Sequence, residues 1–224
     1  MNPKLLHRCL QEQAEKPLKL KINDNRSTML SVRWEPDHTR VSLHRMFLQA
    51  PDEVMKALAQ YIRTKESKLA PSIKIFIEEK MASLDYSHLV TSSELSPQGD
   101  VYDLQAIYHE LNEKYFHSEL NLHITWFGKK GKRYRSRLNL GLYHEITKMV
   151  KINRVLDNKQ YPDYLIRFVI YHEMLHSVCP GYVDHKGISH IHTPEFCRRE
   201  KEFEDYHLAQ EWIQGNIEQL FQEV

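Results

Sequence analysis

His172 and His176 stand four residues apart in the segment His172-Glu173-Met174-Leu175-His176. On a helix that spacing sends both imidazoles from one face, where they can grip a single metal ion. Glu173 lies about 100° round the helix from His172, too far to complete the same ligand set but able to reach a water on the metal. These are the parts of a hydrolytic zinc centre. Such a zinc keeps three protein ligands and leaves its fourth position open. The metzincin spacing is excluded, because Cys179 and Tyr182 stand where that class needs glycine and histidine. The third ligand then comes from Glu195, Glu200 or Glu204 further on, or from His185, His190 or His192 between. His192 ranks first. It directly precedes Thr193-Pro194-Glu195-Phe196, where threonine as N-cap and proline at the first position open a helix. A ligand at a helix mouth is held by a rigid element.

The elements that must position this set can be read outward from it. The segment 161–179 is expected to be helical, with Pro162 in its first turn beside Asp163 and an end near Cys179, before Pro180-Gly181. It is apolar nearly all round and so should be central and buried. Histidines on a buried helix need partners, and a shared metal supplies one. Upstream, Leu104, Ile107, Tyr108, Leu111 and Tyr115 mark a helix, and strands are expected near 121–126, 134–143 and 147–153. In the first half a short amphipathic helix is expected over 4–15. Alternation at Leu18, Leu20 and Ile22, at Leu30, Val32 and Trp34, and at Val41 and Leu43 predicts three strands. Helices should follow from Pro51 and from Pro71 to about Ser83. Thr91 to Asp100, rich in Ser, Pro and Gly, is the linker candidate, giving an N-terminal α+β region over 1–100 and a second domain over 101–224.

Part of the first half echoes the second. Val41, Leu43, Arg45, Pro51-Asp52 and Val54 match Val150, Ile152, Arg154, Pro162-Asp163 and Leu165 when two residues are skipped before the proline. Leu30, Val32 and Trp34 echo Leu122, Ile124 and Trp126. The metal motif then falls on Tyr61-Ile62-Arg63-Thr64-Lys65, which holds no ligand. A degenerate copy and a chance likeness of two strand-helix units both account for this.

Four blocks carry a wider resemblance: Leu111-Asn112-Glu113-Lys114-Tyr115-Phe116, Ile124-Thr125-Trp126, Tyr171-His172-Glu173-Met174-Leu175-His176, and His192-Thr193-Pro194-Glu195-Phe196. In this order they resemble the SprT-like zinc metallopeptidase family, which includes the Spartan protease core, over roughly 104–213. The resemblance implies a zincin-like α+β domain with a central His-Glu-x-x-His helix, a small sheet and a C-terminal helix. It implies zinc on His172, His176 and His192, with Glu173 as the catalytic glutamate acting on a protein or peptide substrate. Thr193 departs from the family, many of whose members carry glycine after the third histidine.

Composition narrows the setting. At 224 residues and 41% hydrophobic, the chain can bury one substantial core or two small ones. A formal net charge of +1 gives no bulk attraction to polyanions. The loop 128–137 nevertheless holds six basic residues and no acid, with Tyr134 able to stack, so nucleic-acid contact stands beside a solvated hairpin tip as its reading. Cys9, Cys179 and Cys197 are too few and scattered for a disulfide framework, which fits reduced thiols in a cytoplasm. The N-terminus lacks a signal peptide's apolar run, and no stretch approaches the ~20 apolar residues of a membrane span. The expected function is zinc-dependent peptide-bond hydrolysis. Its competitor is a non-catalytic, zinc-stabilised binding protein.

Overall fold

Apolar residues alternating at 18–22, 30–34 and 41–43 need one covered face, and a three-stranded sheet supplies it. The computed structural model describes residues 2–129 and 138–222. Two compact units divide the chain: Met1–Leu84 with Tyr182–His190, and Asp85–Gly181 with Ile191–Val224. Among the described residues the fold is α+β, with seven α-helices and small sheets.

In the first unit, α1 (Pro3–Gln11) starts at Asn2, whose side chain accepts from the amide of Leu5. Strands β1 (Leu18–Asn23), β2 (Leu30–Trp34) and β3 (Thr39–His44) pair in the order β1-β3-β2, with β1 parallel and β2 antiparallel to β3. Val41 and Leu43 on the central strand are fully buried. α2 (Asp52–Thr64) follows, and its Val54, Leu58 and Ile62 recur at helical spacing on its buried side. α3 (Pro71–Met81) packs on α2 through Ile73 and Phe76, the latter against Phe47. A short hairpin, β7 (Tyr182–Val183) and β8 (Ser189–His190), also belongs here. Lys74 Nζ donates to the Gly187 carbonyl at 2.8 Å, and Gly187 takes a φ of +75° against Pro71, a conformation glycine adopts without a Cβ clash.

The second unit repeats the plan. α4 (Leu104–Phe116) is capped by Asp103, which accepts from the amides of Gln105 and Ala106. Strands β4 (His123–Phe127), β5 (Gly141–His144) and β6 (Met149–Asn153) pair as β4-β6-β5, again with the first parallel and the second antiparallel to the third. α5 (Asp163–Leu175) lies on this sheet, and α6 (Pro194–Glu200) and α7 (Tyr206–Gln222) pack on α5. Ile124, Val150, Ile152, Leu165, Ile170 and Leu175 form the buried centre of this unit. At about 25 cal/mol per Å² of apolar area removed from water, each such side chain favours folding by about 1.5–3 kcal/mol.

The two units match in more than strand order. In each, the last residue of the central strand caps a 3-10 turn: His44 Nδ1 accepts from the Met46 amide, and Asn153 Oδ1 from that of Val155. In each, a proline then serves as N-cap of a 13-residue helix, Pro51 before α2 and Pro162 before α5. Register equates Leu20 and Ile22, opposite Val41 and Leu43, with Ile124 and Trp126, opposite Val150 and Ile152. The match of Leu30, Val32 and Trp34 to the 122–126 strand is therefore corrected: those residues form β2, whose counterpart is β5.

Several boundaries also differ from expectation. Residues 91–100 do not link two domains. The Ser96 amide bonds Thr125 Oγ1, and the amides of Asp100, Val101 and Tyr102 converge on the Asp157 carboxylate, so the segment is built into the second unit. The division falls at Leu84 and Asp85, and the second domain is not continuous over 101–224, because 182–190 leaves it. α1 stops at Gln11 rather than 15. α5 ends at Leu175 rather than near Cys179: the amides of Val178 and Cys179 both return to the Leu175 carbonyl, closing the helix in tight turns. The strand expected over 134–143 is described only from Gly141, and residues 130–137 of the basic loop lie outside the described residues. No helix is long and apolar enough to cross a membrane among the described residues.

Candidate metal centre

α5 is held rigidly by its buried faces; its last turn presents His172, and His176 is its C-cap. α6 presents the third imidazole. Thr193 caps that helix, its hydroxyl accepting from the Phe196 amide, and His192 sits one residue earlier. The ligand atoms of His172, His176 and His192 lie within 4.8 Å of one another. Tetrahedral zinc with bonds of about 2.0–2.1 Å would set its ligand nitrogens about 3.4 Å apart, so the rings need close by little more than about 1 Å. Phe196, 1% exposed, lies beneath all three rings at centroid distances of 5.0, 4.6 and 4.7 Å. The sequence-based set is thus brought together.

Burial and neighbouring imidazoles disfavour protonation of His176 and His192. Burial, then the charges of His172 and His192, pull His176 down to about 4. Burial and His172 lower His192 as well, against a smaller opposing effect of Glu200. Neither ring makes a hydrogen bond to a described residue, whereas His172 Nδ1 meets Glu200 Oε1 at 2.6 Å. Three imidazoles whose ligand nitrogens face one another are a donor set that a divalent transition metal fits.

The other candidate ligands are engaged elsewhere. Glu195 pairs with Arg198, and Glu204 with Lys114. His190 pairs with Asp184 in the hairpin of the first unit, which also contains His185. Cys179 is buried with Arg199 Nη1 at 3.9 Å from its sulfur, and Cys197 is exposed. Tyr171, next to His172, donates to the Arg199 carbonyl at 2.7 Å and packs against Tyr115, Phe116 and Phe203. Tyr161 is buried edge-on against Trp212. Tyr182 and His190 belong to the first unit.

Glu173 faces the sheet and is 7% exposed. Burial pushes its carboxyl up to about 7, while the charge of His172 and a hydrogen bond from the Tyr143 amide oppose the rise. Space for it exists because residue 141 is glycine: a Cβ there would stand 2.5 Å from Glu173 Oε1 and 2.6 Å from its Cγ. A cleft of about 300 Å³, walled by Leu140, Phe168, Val169 and Ile213, has His172, Glu173 and Glu200 on its lining. Sequence reasoning missed Gly141. A glycine inside a strand marks close approach of another group, and that was the available signal. It also weighed Glu200 only as a ligand.

The matched positions of the first unit carry other residues. Counting from the matched prolines, Tyr61, Ile62 and Lys65 occupy the places of His172, Glu173 and His176, and β-register places Leu30 where Gly141 stands. Ile62 is 2% exposed. The glycine and glutamate positions of the second unit are thus taken by two apolar residues, Leu30 and Ile62. Compared with protein-family models, with curated proteins and with solved structures, the chain matches none.

Proposed function

We propose that the chain is a zinc-dependent metallopeptidase hydrolysing peptide bonds in a protein or peptide substrate, with its second unit arranged as a zincin-like domain of SprT-like type. One observation carries this reading: three imidazoles at the ends of two helices converge, and beside them a buried carboxyl group is held apart from the ligand set. A purely structural metal site has no use for that carboxylate, whose burial destabilises its ionised form. His172, His176 and His192 would hold the ion. Bound there, zinc supplies Lewis acidity, lowering the pKa of a water from about 15.7 to roughly 7 and polarising a carbonyl.

The chain's own residues do the rest. Glu173, raised to about 7 in the metal-free protein, is matched to accept a proton near neutral pH and return it to a leaving amine. The Tyr143 amide fixes its carboxylate from the sheet side. Phe196 shields the imidazoles from one side and keeps them from swinging apart. The cleft beside them offers apolar walls to a substrate side chain.

The test is metal analysis of the purified chain together with cleavage of an unfolded protein by wild type and Glu173→Gln. Stoichiometric zinc in both, with turnover only in the wild type, supports peptidase activity. Zinc in both with no cleavage by either refutes it in favour of a metal that ties α6 to α5.

A further inference from the structure

We infer that Glu200 is a positioning residue that fixes His172 in the tautomer protonated on Nδ1 and so turns its Nε2 lone pair toward the metal position. The inference rests on the metal reading above and adds a member to that site. Glu200 Oε1 lies 2.6 Å from His172 Nδ1, with the two side chains only 12% and 23% exposed. An imidazole has two ring nitrogens, and a carboxylate at one of them calls for an N–H there. The other nitrogen is then left as the donor for a metal, and the carboxylate raises its basicity.

Its place in α6 makes the contact specific. Phe196 and Glu200 are four residues apart and leave the helix on one face, the first under the three rings and the second against His172. His192 precedes the cap of the same helix. One seven-residue element therefore sets the third ligand, the floor of the site and the tautomer of the first ligand. The other acids of this region, Glu195 and Glu202, are exposed and pair with Arg198, so Glu200 alone among them turns inward.

Competition with a chromophoric chelator measures zinc affinity in the wild type, Glu200→Gln, Glu200→Ala and, as control, Glu195→Ala. Glu200→Ala should weaken zinc 10- to 100-fold, Glu200→Gln by less because its carbonyl still accepts, and Glu195→Ala not at all. Nitrogen-15 imidazole spectra of the zinc-loaded wild type should show His172 protonated on Nδ1. That signal should broaden or disappear in Glu200→Ala, a change that loss of packing alone would not produce. If Glu200→Ala does not fold, the near-isosteric Glu200→Gln decides. Zinc affinity within twofold of wild type in both Glu200 variants, or a His172 bound through Nδ1, overturns the inference and leaves the metal site standing. Absence of zinc from the wild type overturns both.

Discussion

Replacing Glu173 by Gln should make the metal-free protein more resistant to unfolding as pH rises, at the expense of any proton transfer. The side chain is buried, and its carboxyl is pushed up from an ordinary 4.5 to about 7. Between these values the folded state holds a proton that the unfolded chain has released, so stability falls as pH rises through this window. At 1.36 kcal/mol per pH unit, the rise from 4.5 to about 7 makes the full loss on the order of 3 kcal/mol. Glutamine has nearly the same shape, can still accept from the Tyr143 amide and never ionises. His176 works in the opposite direction: its depressed pKa of about 4 makes stability fall as pH drops below 6.5. That contribution is common to both proteins and cancels in their difference. Denaturant unfolding in the presence of a chelator, from pH 4.5 to 8, should show Glu173→Gln gaining about 3 kcal/mol relative to wild type, mostly between pH 5 and 7. Parallel pH dependences for the two proteins would refute the placement of Glu173 as a desolvated acid.

Further outcomes follow from single contacts. Gly141→Ala puts a Cβ 2.5 Å from Glu173 Oε1, which must retreat by about 1 Å to regain ordinary contact. A shift of that size should lower kcat/KM about 100-fold, or about 2.7 kcal/mol, with zinc content unchanged by elemental analysis. His192→Ala removes one of three ligands and should abolish stoichiometric zinc in the dialysed protein; full occupancy in that variant would move the third ligand elsewhere. Asp157→Ala strips the acceptor from three backbone amides at 2.8, 2.8 and 3.2 Å in a side chain only 3% exposed. A loss of about 3–5 kcal/mol in denaturant unfolding is expected, well above the cost of an exposed substitution.

How much of this was legible before folding depended on the range of the interaction. The spacing of His172, Glu173 and His176 is local, and helical geometry alone puts the two imidazoles on one face. His192 was legible for a similar reason: Thr193 and Pro194 announce a helix start within four residues. The second half of the internal match, from Val41 to Val54, also held in the structure, because strand end, capped turn, proline and helix follow one another along the chain. Its strand component failed, because apolar alternation is the same on any strand whose one face is covered and does not say which neighbour it pairs with. The excursion of Tyr182–His190 into the first unit was equally invisible.

The sequence by itself therefore determined the donor types, the two-histidine face and the helix mouth that carries the third ligand, all of which follow from periodicity and caps over a few residues. Only the tertiary structure decided that the three imidazoles meet and that Glu195 and Glu204 are tied to Arg198 and Lys114. It also decided that Glu200 turns to His172 and that Gly141 leaves room for Glu173. Apart from the Glu195–Arg198 pair within α6, these are contacts between separate parts of the chain, 32 residues apart for Gly141 and Glu173 and 90 for Lys114 and Glu204, and no local spacing encodes which side chain will lie across such a gap.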